Sequence, residues 1–298
     1  MNNNIFKGLI TAIITPFKDN KLDFVSLEKI LNYQIDNKVD GVVIAGSTGE
    51  GPSLSLQEYQ SLLEIAVEIT KNRIQIIAGC SAITTSIAID MIKICTKIPV
   101  DGLMCSIPSY VKPMQEGIYL HFEAIHNASI DRASNLPIML YSVPSRTVVD
   151  FSDDTIVRLS KLPRIVAFKD AGNDLERPLR IKAAVSKDFN LLCGNDELAL
   201  SYNVHSGVGC VSVASNVTPS LCKKLQDNCR DGNYQEALQI QQQLLPIYKA
   251  LFAESNPIPV KYAVARLGLC SNELRLPLTS AGKVTEEKIN KAMDYVGI

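Results

Sequence analysis

A lysine closes an apolar run at residues 165–169, where the sequence reads IVAFK. The four residues before it are typical of a buried strand, and packing gives no reason for a charged group at the end of such a strand. An amine that leaves water loses part of its preference for the charged form, and a neutral amine can attack a carbonyl carbon. Lys169 is therefore a candidate Schiff-base nucleophile. The alternative is a lysine that marks the exit of a strand into a solvated loop.

Hydroxyl groups follow another strand-like run, in the turn Gly46-Ser-Thr-Gly-Glu50. Its glycines let backbone amides approach a small anion, while Ser47 and Thr48 supply hydroxyls. The turn is a candidate anion site, although glycine-hydroxyl turns are also common without any function.

Two phenols and a guanidinium follow further strand-like runs. Tyr110 lies between prolines in PSYVKP, and Tyr141 opens YSVPSRT, which also contains Arg146. A phenol can carry a proton to and from a Schiff base, and an arginine fork suits a carboxylate. Taken singly, Tyr110 could equally be a packed loop residue and Arg146 a surface charge.

Eight short apolar runs are the elements that must position these groups. They are Leu9 to Pro16, Gly41 to Gly46, Ile74 to Gly79, Gly102 to Pro108, Pro137 to Tyr141, Ile165 to Lys169, Asn190 to Gly194 and Gly209 to Val213. Helical patterns separate several of them, at Asp23 to Asn37, Ser55 to Lys71 and Thr85 to Thr96. Such alternation predicts parallel βαβ units, and eight strands close a barrel whose chemistry lies at the carboxyl ends of the strands.

We therefore predict an α/β fold, a (β/α)8 TIM barrel over residues 1–218. Residues 219–298 hold more helix than one closing helix needs, including Tyr234 to Phe252 and Pro259 to Leu267, and predict a C-terminal helical extension. A doubly wound open sheet is the competing architecture, but no GxGxxG follows the first strand.

Composition narrows the class of protein. The 298 residues carry 30 basic and 31 acidic side chains, a net charge of -1, without a long run of either sign, so neither nucleic acid nor an anionic membrane is an expected partner. The eight cysteines lack CxxC pairs and several lie in apolar runs, which is typical of reduced, buried thiols. Residues 1–7 lack the pattern of a signal peptide, so we expect a cytoplasmic enzyme.

The three histidines, His121, His126 and His205, form no cluster with carboxylates at metal-ligand spacing. We therefore expect packing or surface roles for these histidines and no bound metal ion. A metal-dependent aldolase mechanism is disfavoured.

Several stretches together resemble the pyruvate-dependent class I aldolase superfamily. They are GSTGE at 46–50, YSVPSRT at 141–147, FKDAGN at 168–173, and also PFKDN near residue 16, LLCGND at 191–196, VSVASN at 211–216 and NPIPVKYA at 256–263. The resemblance spans nearly the whole chain and implies a covalent imine between pyruvate and Lys169, with no cofactor. Imine formation makes the ketone an electron sink, so its methyl carbon can lose a proton and attack an aldehyde.

The resemblance also implies roles for other residues. Tyr141 would relay protons, and Thr48 would link Tyr141 to Tyr110. Ser47 and Thr48 would bind a carboxylate, while Gly194 and Val211 would line the pocket near the lysine.

Two further implications concern the second substrate and the assembly. Arg146 is similar to the pattern of the branch that condenses pyruvate with L-aspartate 4-semialdehyde, in which it holds the carboxylate of the aldehyde. The phenol at the position of Tyr110 enters the site of a neighbouring subunit in this family, which implies a homo-oligomer of at least a dimer, and commonly a dimer of dimers.

Some positions depart from the family pattern. Ser142 and Val148 stand where asparagine and glycine are usual, and a β-branched residue does not readily adopt a positive φ, so the loop of Arg146 is expected to differ in shape. Relatives that lysine inhibits carry polar, acidic or histidine residues where this chain has Leu56, Tyr59, Ile83 and Ile87. Because an ammonium would find no carboxylate at Ile87, we expect insensitivity to lysine.

Two rival functions follow from the same residues. One is another pyruvate-dependent aldolase that acts on a sugar acid, with Arg146 reassigned to a different carboxylate. The other is a non-catalytic barrel that binds a keto acid, which predicts that borohydride with pyruvate leaves no adduct on Lys169.

Overall fold

The computed structural model describes residues 5–130 and 135–298; the start of the N-terminal stretch considered above, residues 1–4, lies outside the described residues. The strands are β1 Gly8–Ala12, β2 Phe17–Lys18, β3 Lys21–Leu22, β4 Gly41–Ile44, β5 Gln75–Gly79, β6 Gly102–Ser106, β7 Ile138–Ser142, β8 Ile165–Asp170, β9 Asn190–Cys193 and β10 Gly209–Ser212. The helices are α1 Phe24–Asp36, α2 Leu56–Thr70, α3 Thr85–Cys95, α4 Gln115–Ala128, α5 Pro144–Thr147, α6 Asp153–Leu159, α7 Arg177–Ala184, α8 Ala199–Val204, α9 Pro219–Arg230, α10 Tyr234–Leu251, α11 Ile258–Arg266 and α12 Lys283–Val296.

Eight parallel strands form a closed barrel in the order β1-β10-β9-β8-β7-β6-β5-β4, with β4 returning to β1. Each predicted strand is present within one to four residues of its expected ends, and the (β/α)8 barrel is confirmed. Strands β2 and β3 form a small antiparallel hairpin that the sequence pattern did not indicate.

The side chains of the strands divide into two layers because successive residues of a strand point to opposite faces. The inner layer fills the barrel with Ile10, Val43, Ile77, Met104, Met139, Ala167, Leu192 and Val211. The outer layer, which includes Leu9, Val42, Ile76 and Phe168, packs against the surrounding helices. The barrel interior is therefore a packed core.

Local signals explain several helix starts. The side chain of Ser55 accepts a hydrogen bond from the Glu58 amide, and Glu58 accepts one from the Ser55 amide, so the predicted capping box opens α2. Thr84 caps α3 in a similar way.

The predicted C-terminal helical extension is also confirmed. Helix α10 packs on α9 and α12, and α12 also packs on α11. Helix α12 is one that the sequence pattern did not single out. Among the described residues, no helix combines the length and apolar character needed to cross a bilayer.

Candidate active site

Lys169 lies inside the barrel and not in a solvated loop. In β8, Ala167 belongs to the inner layer and Phe168 to the outer layer, so strand alternation turns Lys169 inward. Only 4% of Lys169 is exposed, although it stands next to the carboxyl end of its strand. The amine is thus held at the mouth of the barrel, away from bulk water.

Tyr141 is the register partner of Lys169 on the neighbouring strand β7. The Nζ atom of Lys169 lies 3.9 Å from the centroid of the Tyr141 ring, and Tyr141 is itself 7% exposed. Parallel pairing of β7 and β8 therefore fixes the amine and the phenol side by side without any contribution from a loop.

Gly194 makes room for the lysine. A Cβ atom added at Gly194 would lie 2.9 Å from Cε of Lys169 and 3.0 Å from Cβ of Ala171, closer than side-chain carbons approach each other. Val211 belongs to the inner layer on β10. Both residues expected to line the pocket thus lie on the barrel strands or at their ends, and Gly194 lies directly against Lys169.

A buried carboxylate stands near the lysine. Asp196 accepts hydrogen bonds from the backbone amides of Val213 at 2.9 Å and Ala214 at 3.0 Å. Burial raises the pKa of Asp196, while the two amides and the charge of Lys169 act in the opposite direction. Asp196 is thus a buried carboxyl group that interacts electrostatically with Lys169.

The turn Gly46–Glu50 brings Thr48 to the mouth and buries it to 3% exposure, whereas Ser47 is half-buried. Thr15 Oγ1 donates to the carbonyl of Gly49 at 2.6 Å, which ties the turn to the segment after β1. Glu50, with φ of +51°, ends the turn and forms a 2.7 Å ion pair with Lys261. The hydroxyl turn is therefore anchored on both sides.

Lys261 lies on α11 in the C-terminal extension and is fully buried. Its Nζ atom donates to the carboxylate of Glu50, to the carbonyl of Thr15 at 2.7 Å and to the carbonyl of Glu273 at 3.0 Å. Burial lowers the pKa of Lys261, and the Glu50 carboxylate opposes that change. A buried pair with all three amine donors used is a rigid support for the turn.

Arg146 reaches the site from helix α5, just after β7. It is exposed, and its Nη2 atom donates to the carbonyl of Asn256 at 2.7 Å. The side chain of Asn256 in turn donates from Nδ2 to Thr48 Oγ1 at 2.9 Å. Asn256 therefore joins Thr48 and Arg146, which come from different strand ends.

Asn256 is a residue to which sequence reasoning assigned no role. It opens the NPIPVKYA stretch, so a motif signal was present, but nothing local in the sequence indicates which residues it contacts.

Val148 takes the positive φ that its β-branched side chain disfavours, so the reason given for a different loop shape does not hold. Val148 adopts a φ of +66°, the region that favours glycine, and ends α5 with its amide bonded to the carbonyl of Pro144 at 2.9 Å. Thr147 Oγ1 donates to the carbonyls of Val143 and Val149, which holds the turn closed around the strained residue. The surrounding hydrogen bonds outweigh the preference of the side chain.

After the Arg146 turn, Asp150 connects the chain to the end of β7 and to α7 by hydrogen bonds. Ser142 Oγ donates to Asp150 Oδ1 at 2.5 Å, and Arg177 Nη1 donates to Asp150 Oδ2 at 2.8 Å. Arg177 also lies 3.7 Å from Asp170, whose pKa burial raises while the arginine charge opposes the change. Ser142, which departs from the family pattern, thus helps to fix the loop that carries Arg146.

Tyr110 is the one predicted site residue that the chain leaves outside. Its side chain is 91% exposed and its φ is +72°. The neighbouring Val111 and Met114 are 58% and 80% exposed. The structure therefore brings Lys169, Tyr141, Thr48, Gly194 and Arg146 to one mouth, but not Tyr110.

His121 and His126 have packing roles, one of the two roles expected for them. His121 is buried between α3 and α4, with Nδ1 2.9 Å from Thr85 Oγ1, and burial lowers its pKa to about 4. His126 is also buried. Within residues 5–130 and 135–298, no group of three or more His, Cys, Asp or Glu side chains could hold a metal ion.

A closed parallel barrel with an inward lysine against a tyrosine at the carboxyl ends of its strands is an arrangement that suits an imine-forming lyase. The sequence model of the dihydrodipicolinate synthetase family matches residues 5–296. The chain belongs to this family and is a lyase.

Relatives and solved structures of this family cover nearly the whole chain. A 4-hydroxy-tetrahydrodipicolinate synthase of Rickettsia bellii (strain RML369-C) is 63% identical over 99% of both chains. The structure of the synthase from Methylacidiphilum fumariolicum SolV superimposes with a TM-score of 0.94 at 39% identity, covering 98% of this chain and 96% of that one. Dihydrodipicolinate synthase from Acinetobacter baumannii, solved in complex with pyruvate, gives a TM-score of 0.93 at 35% identity, covering 98% and 99%.

Proposed function

We propose that this chain condenses pyruvate with L-aspartate 4-semialdehyde to form 4-hydroxy-tetrahydrodipicolinate, a step in lysine and diaminopimelate biosynthesis. The observation that carries the proposal is the buried Lys169 amine, 3.9 Å from the ring centre of Tyr141 at the barrel mouth. The synthase relatives, and the pyruvate in one of the solved structures, support the same substrates.

The chemistry needs one covalent step on the protein. The Lys169 amine attacks the ketone carbon of pyruvate, water leaves, and the resulting imine draws electrons from the methyl carbon. Loss of a methyl proton gives an enamine, whose carbon forms a bond to the aldehyde carbon. The amine of the second substrate then attacks the imine carbon, which closes the ring and releases Lys169. The imine is the electron sink, so we propose neither a metal ion nor a cofactor.

The proposed roles of the other residues follow from where they lie. Tyr141, against the amine, transfers the protons of imine formation, and Thr48 passes them between Tyr141 and Tyr110. Ser47 and Thr48 bind the carboxylate of pyruvate. Gly194 and Val211 line the pocket beside Lys169.

Arg146 is proposed to bind the carboxylate of L-aspartate 4-semialdehyde. Its Nη2 group is held by the backbone carbonyl of Asn256, while the rest of the side chain stays exposed at the mouth and can bind a carboxylate. The test is turnover of pyruvate with L-aspartate 4-semialdehyde and, separately, with sugar aldehydes. We expect product only with the semialdehyde. Product with a sugar aldehyde alone would replace the proposal by a sugar-acid aldolase.

The Arg146→Ala variant sharpens this test. It is expected to keep pyruvate capture and to raise the KM for the semialdehyde by about 10- to 100-fold, since a charge-assisted hydrogen bond is lost. Arg158→Ala is the matched control, because Arg158 is also exposed but pairs with Glu116 on the outer helices at 2.8 Å. Equal KM values for the two variants would remove the main support for the semialdehyde.

We further propose that the enzyme works as a homo-oligomer, at least a dimer and, by analogy with its family, a dimer of dimers, in which Tyr110 completes the site of a neighbouring copy. The exposed side chains of Tyr110, Val111 and Met114 support this, since a soluble surface rarely leaves such apolar groups side by side. Leu56, Ile83 and Ile87 are exposed as well, at 45%, 57% and 41%.

Mixed oligomers test the role of Tyr110. Lys169→Ala and Tyr110→Phe subunits are each expected to be nearly inactive alone. After dissociation and reassociation together, activity should return, because a Tyr110→Phe subunit keeps its lysine and receives the phenol of its neighbour. Absence of any recovery in confirmed mixed oligomers would contradict the sharing of Tyr110.

Insensitivity to lysine is the remaining proposal about activity. Ile83 and Ile87 present methyl groups where an ammonium would need a carboxylate, and Tyr59 is fully buried, with its hydroxyl 3.1 Å from both Cys80 Sγ and Cys95 Sγ. Turnover measured across millimolar lysine should stay level, and strong inhibition would overturn the proposal. We also propose a cytoplasmic location.

A further inference from the structure

Asn256 is the point at which the C-terminal extension meets the reactive mouth. It stands just before α11, 208 residues from Thr48 and 110 from Arg146 along the chain. It is 9% exposed, and among the described residues its hydrogen bonds go only to Thr48 and Arg146. A residue that served only the packing of α11 would bond to α11 or its neighbours.

The contact with Thr48 fixes the direction of a hydrogen bond. The amide nitrogen of Asn256 is a donor only, so Thr48 Oγ1 must act as its acceptor. A threonine hydroxyl has one proton, which is then free to be donated into the site. The amide therefore selects the orientation of the hydroxyl that the proposed proton relay requires.

We propose that Asn256 is a positioning residue of the reaction. Its side-chain amide nitrogen turns the Thr48 hydroxyl toward the reacting groups, and its backbone carbonyl holds Arg146 over the mouth. The inference rests on the proposed function for the role of Thr48. It assigns to the C-terminal extension the positioning of two site residues, beyond support of the barrel.

Lys261, five residues further along, shows the difference between support and positioning. It contacts Glu50, Thr15 and Glu273, and none of these is among the proposed reacting or substrate-binding groups. Removing Lys261 would loosen the turn as a whole, whereas removing the Asn256 amide changes one hydrogen bond to Thr48.

Asn256→Asp is the most informative variant, because it keeps the size and the backbone carbonyl but replaces a donor by an acceptor. The carboxylate takes the proton that Thr48 otherwise donates. We expect the rate of pyruvate capture, followed by borohydride trapping, to fall about 10- to 100-fold near neutral pH.

The pH profile separates positioning from folding. When the new carboxyl group is protonated it can again donate to Thr48, so the variant should recover part of its capture rate as the pH falls. The wild-type rate should show no such recovery. Recovery on protonation that the Asn203→Asp control does not share marks positioning, whereas a variant that stays slow at every pH while remaining folded would overturn the proposal.

Asn203→Asp is the matched control. Asn203 is also 9% exposed, and its Nδ2 atom donates to Gln226 Oε1 at 2.8 Å, away from the mouth. The Asn203→Asp substitution should leave the rate of pyruvate capture unchanged. Equal losses in the two variants would mean that a buried carboxylate anywhere in the barrel has this effect, and would overturn the proposal.

A double-mutant cycle with Thr48→Val completes the test. Once the hydroxyl is gone, Asn256→Asp should have little further effect on capture, because the two residues act through one hydrogen bond. Additive losses would contradict the proposal. If Asn256→Asp fails to fold, as judged by thermal unfolding, Asn256→Ala in the same cycle gives the same decision without the recovery at low pH.

Pyruvate capture does not involve the second substrate, so the two proposals fail separately. Wild-type protein that captures pyruvate but does not convert L-aspartate 4-semialdehyde would reject the proposed function and leave the Asn256 test intact.

Discussion

The two phenols of the proposed relay lie in opposite surroundings. Tyr141 stands on a barrel strand, 7% exposed, in register with Lys169, whereas Tyr110 lies on a loop, 91% exposed. The strand half of the site is complete within one chain because parallel pairing fixes it. The loop half presents its phenol outward, and in the proposed assembly the position of this phenol depends on a neighbouring copy.

A third contribution comes from the C-terminal extension. Asn256 and Lys261 both anchor the turn Gly46–Glu50. Asn256 does so by a hydrogen bond to Thr48, and Lys261 by the buried ion pair with Glu50. The mouth is therefore fixed from two directions within the chain.

Loss of Lys169 should lower the activity more than any other change, and it removes a group that belongs to the strand half of the site. We expect Lys169→Ala to lower kcat by about 10^4-fold or more, because the covalent route disappears. The control is Lys182→Ala, since Lys182 is a partly buried lysine on α7 that bonds to the carbonyls of Lys187 and Phe189. Comparable residual activity in the two variants, measured by product formation, would contradict the role of Lys169.

Removal of each phenol compares the two halves directly. Tyr141→Phe should lower kcat by about 100- to 10,000-fold at every protein concentration, since proton transfer is lost within the chain. The contribution of Tyr110 should depend on assembly, so wild-type activity per chain should fall on dilution below the dissociation range of the oligomer. Activity that stays constant while sedimentation shows dissociation would break the comparison.

The helices that flank the Tyr110 loop have a pH-dependent contact. The pKa of His121 is about 4 in the fold against 6.5 when unfolded, so the unfolded chain binds the extra proton between these values. The contribution of the neutral, buried His121 to stability is therefore fully present above pH 6.5 and is lost toward pH 4, by about 3 kcal/mol. The His121→Gln variant should show a flatter decline of the unfolding midpoint over this range. Parallel curves for variant and wild type would contradict it.

Val148 allows the smallest test, on the loop of Arg146. Val148→Gly should relieve the positive φ and raise the free energy of unfolding by up to about 1 kcal/mol, partly offset by the greater freedom of glycine in the unfolded chain. Val148→Ala keeps its Cβ atom and should gain less. Denaturant unfolding measures both, and a Val148→Gly protein less stable than wild type would show that the side chain contributes more than the strain costs.

The strand half is also the part that sequence reasoning described well. An apolar run that ends in a lysine, and another that ends in a tyrosine, are the continuous apolar segments typical of buried barrel strands, and their register follows from barrel closure. The contacts of Asn256 with Thr48 and of Lys261 with Glu50 join residues 208 and 211 apart. No local pattern encodes such contacts, because tertiary packing decides them.

Local preference predicts the wrong sign of φ at Val148. A β-branched residue disfavours a positive φ, yet the bonds of Thr147 and of the Val148 amide fix the turn. Helix α12 escaped specific prediction although it has a clear apolar face with Ile289 and Met293 buried. The hairpin of β2 and β3 has only two residues in each strand, too few to produce a periodic signal.

Borohydride reduction in the presence of pyruvate, followed by peptide mass analysis, tests the central claim most directly. The account predicts one reduced pyruvyl group per chain, located on Lys169 and absent from Lys169→Ala protein. Folded wild-type protein that gains no adduct, or gains it on another lysine, would contradict the account.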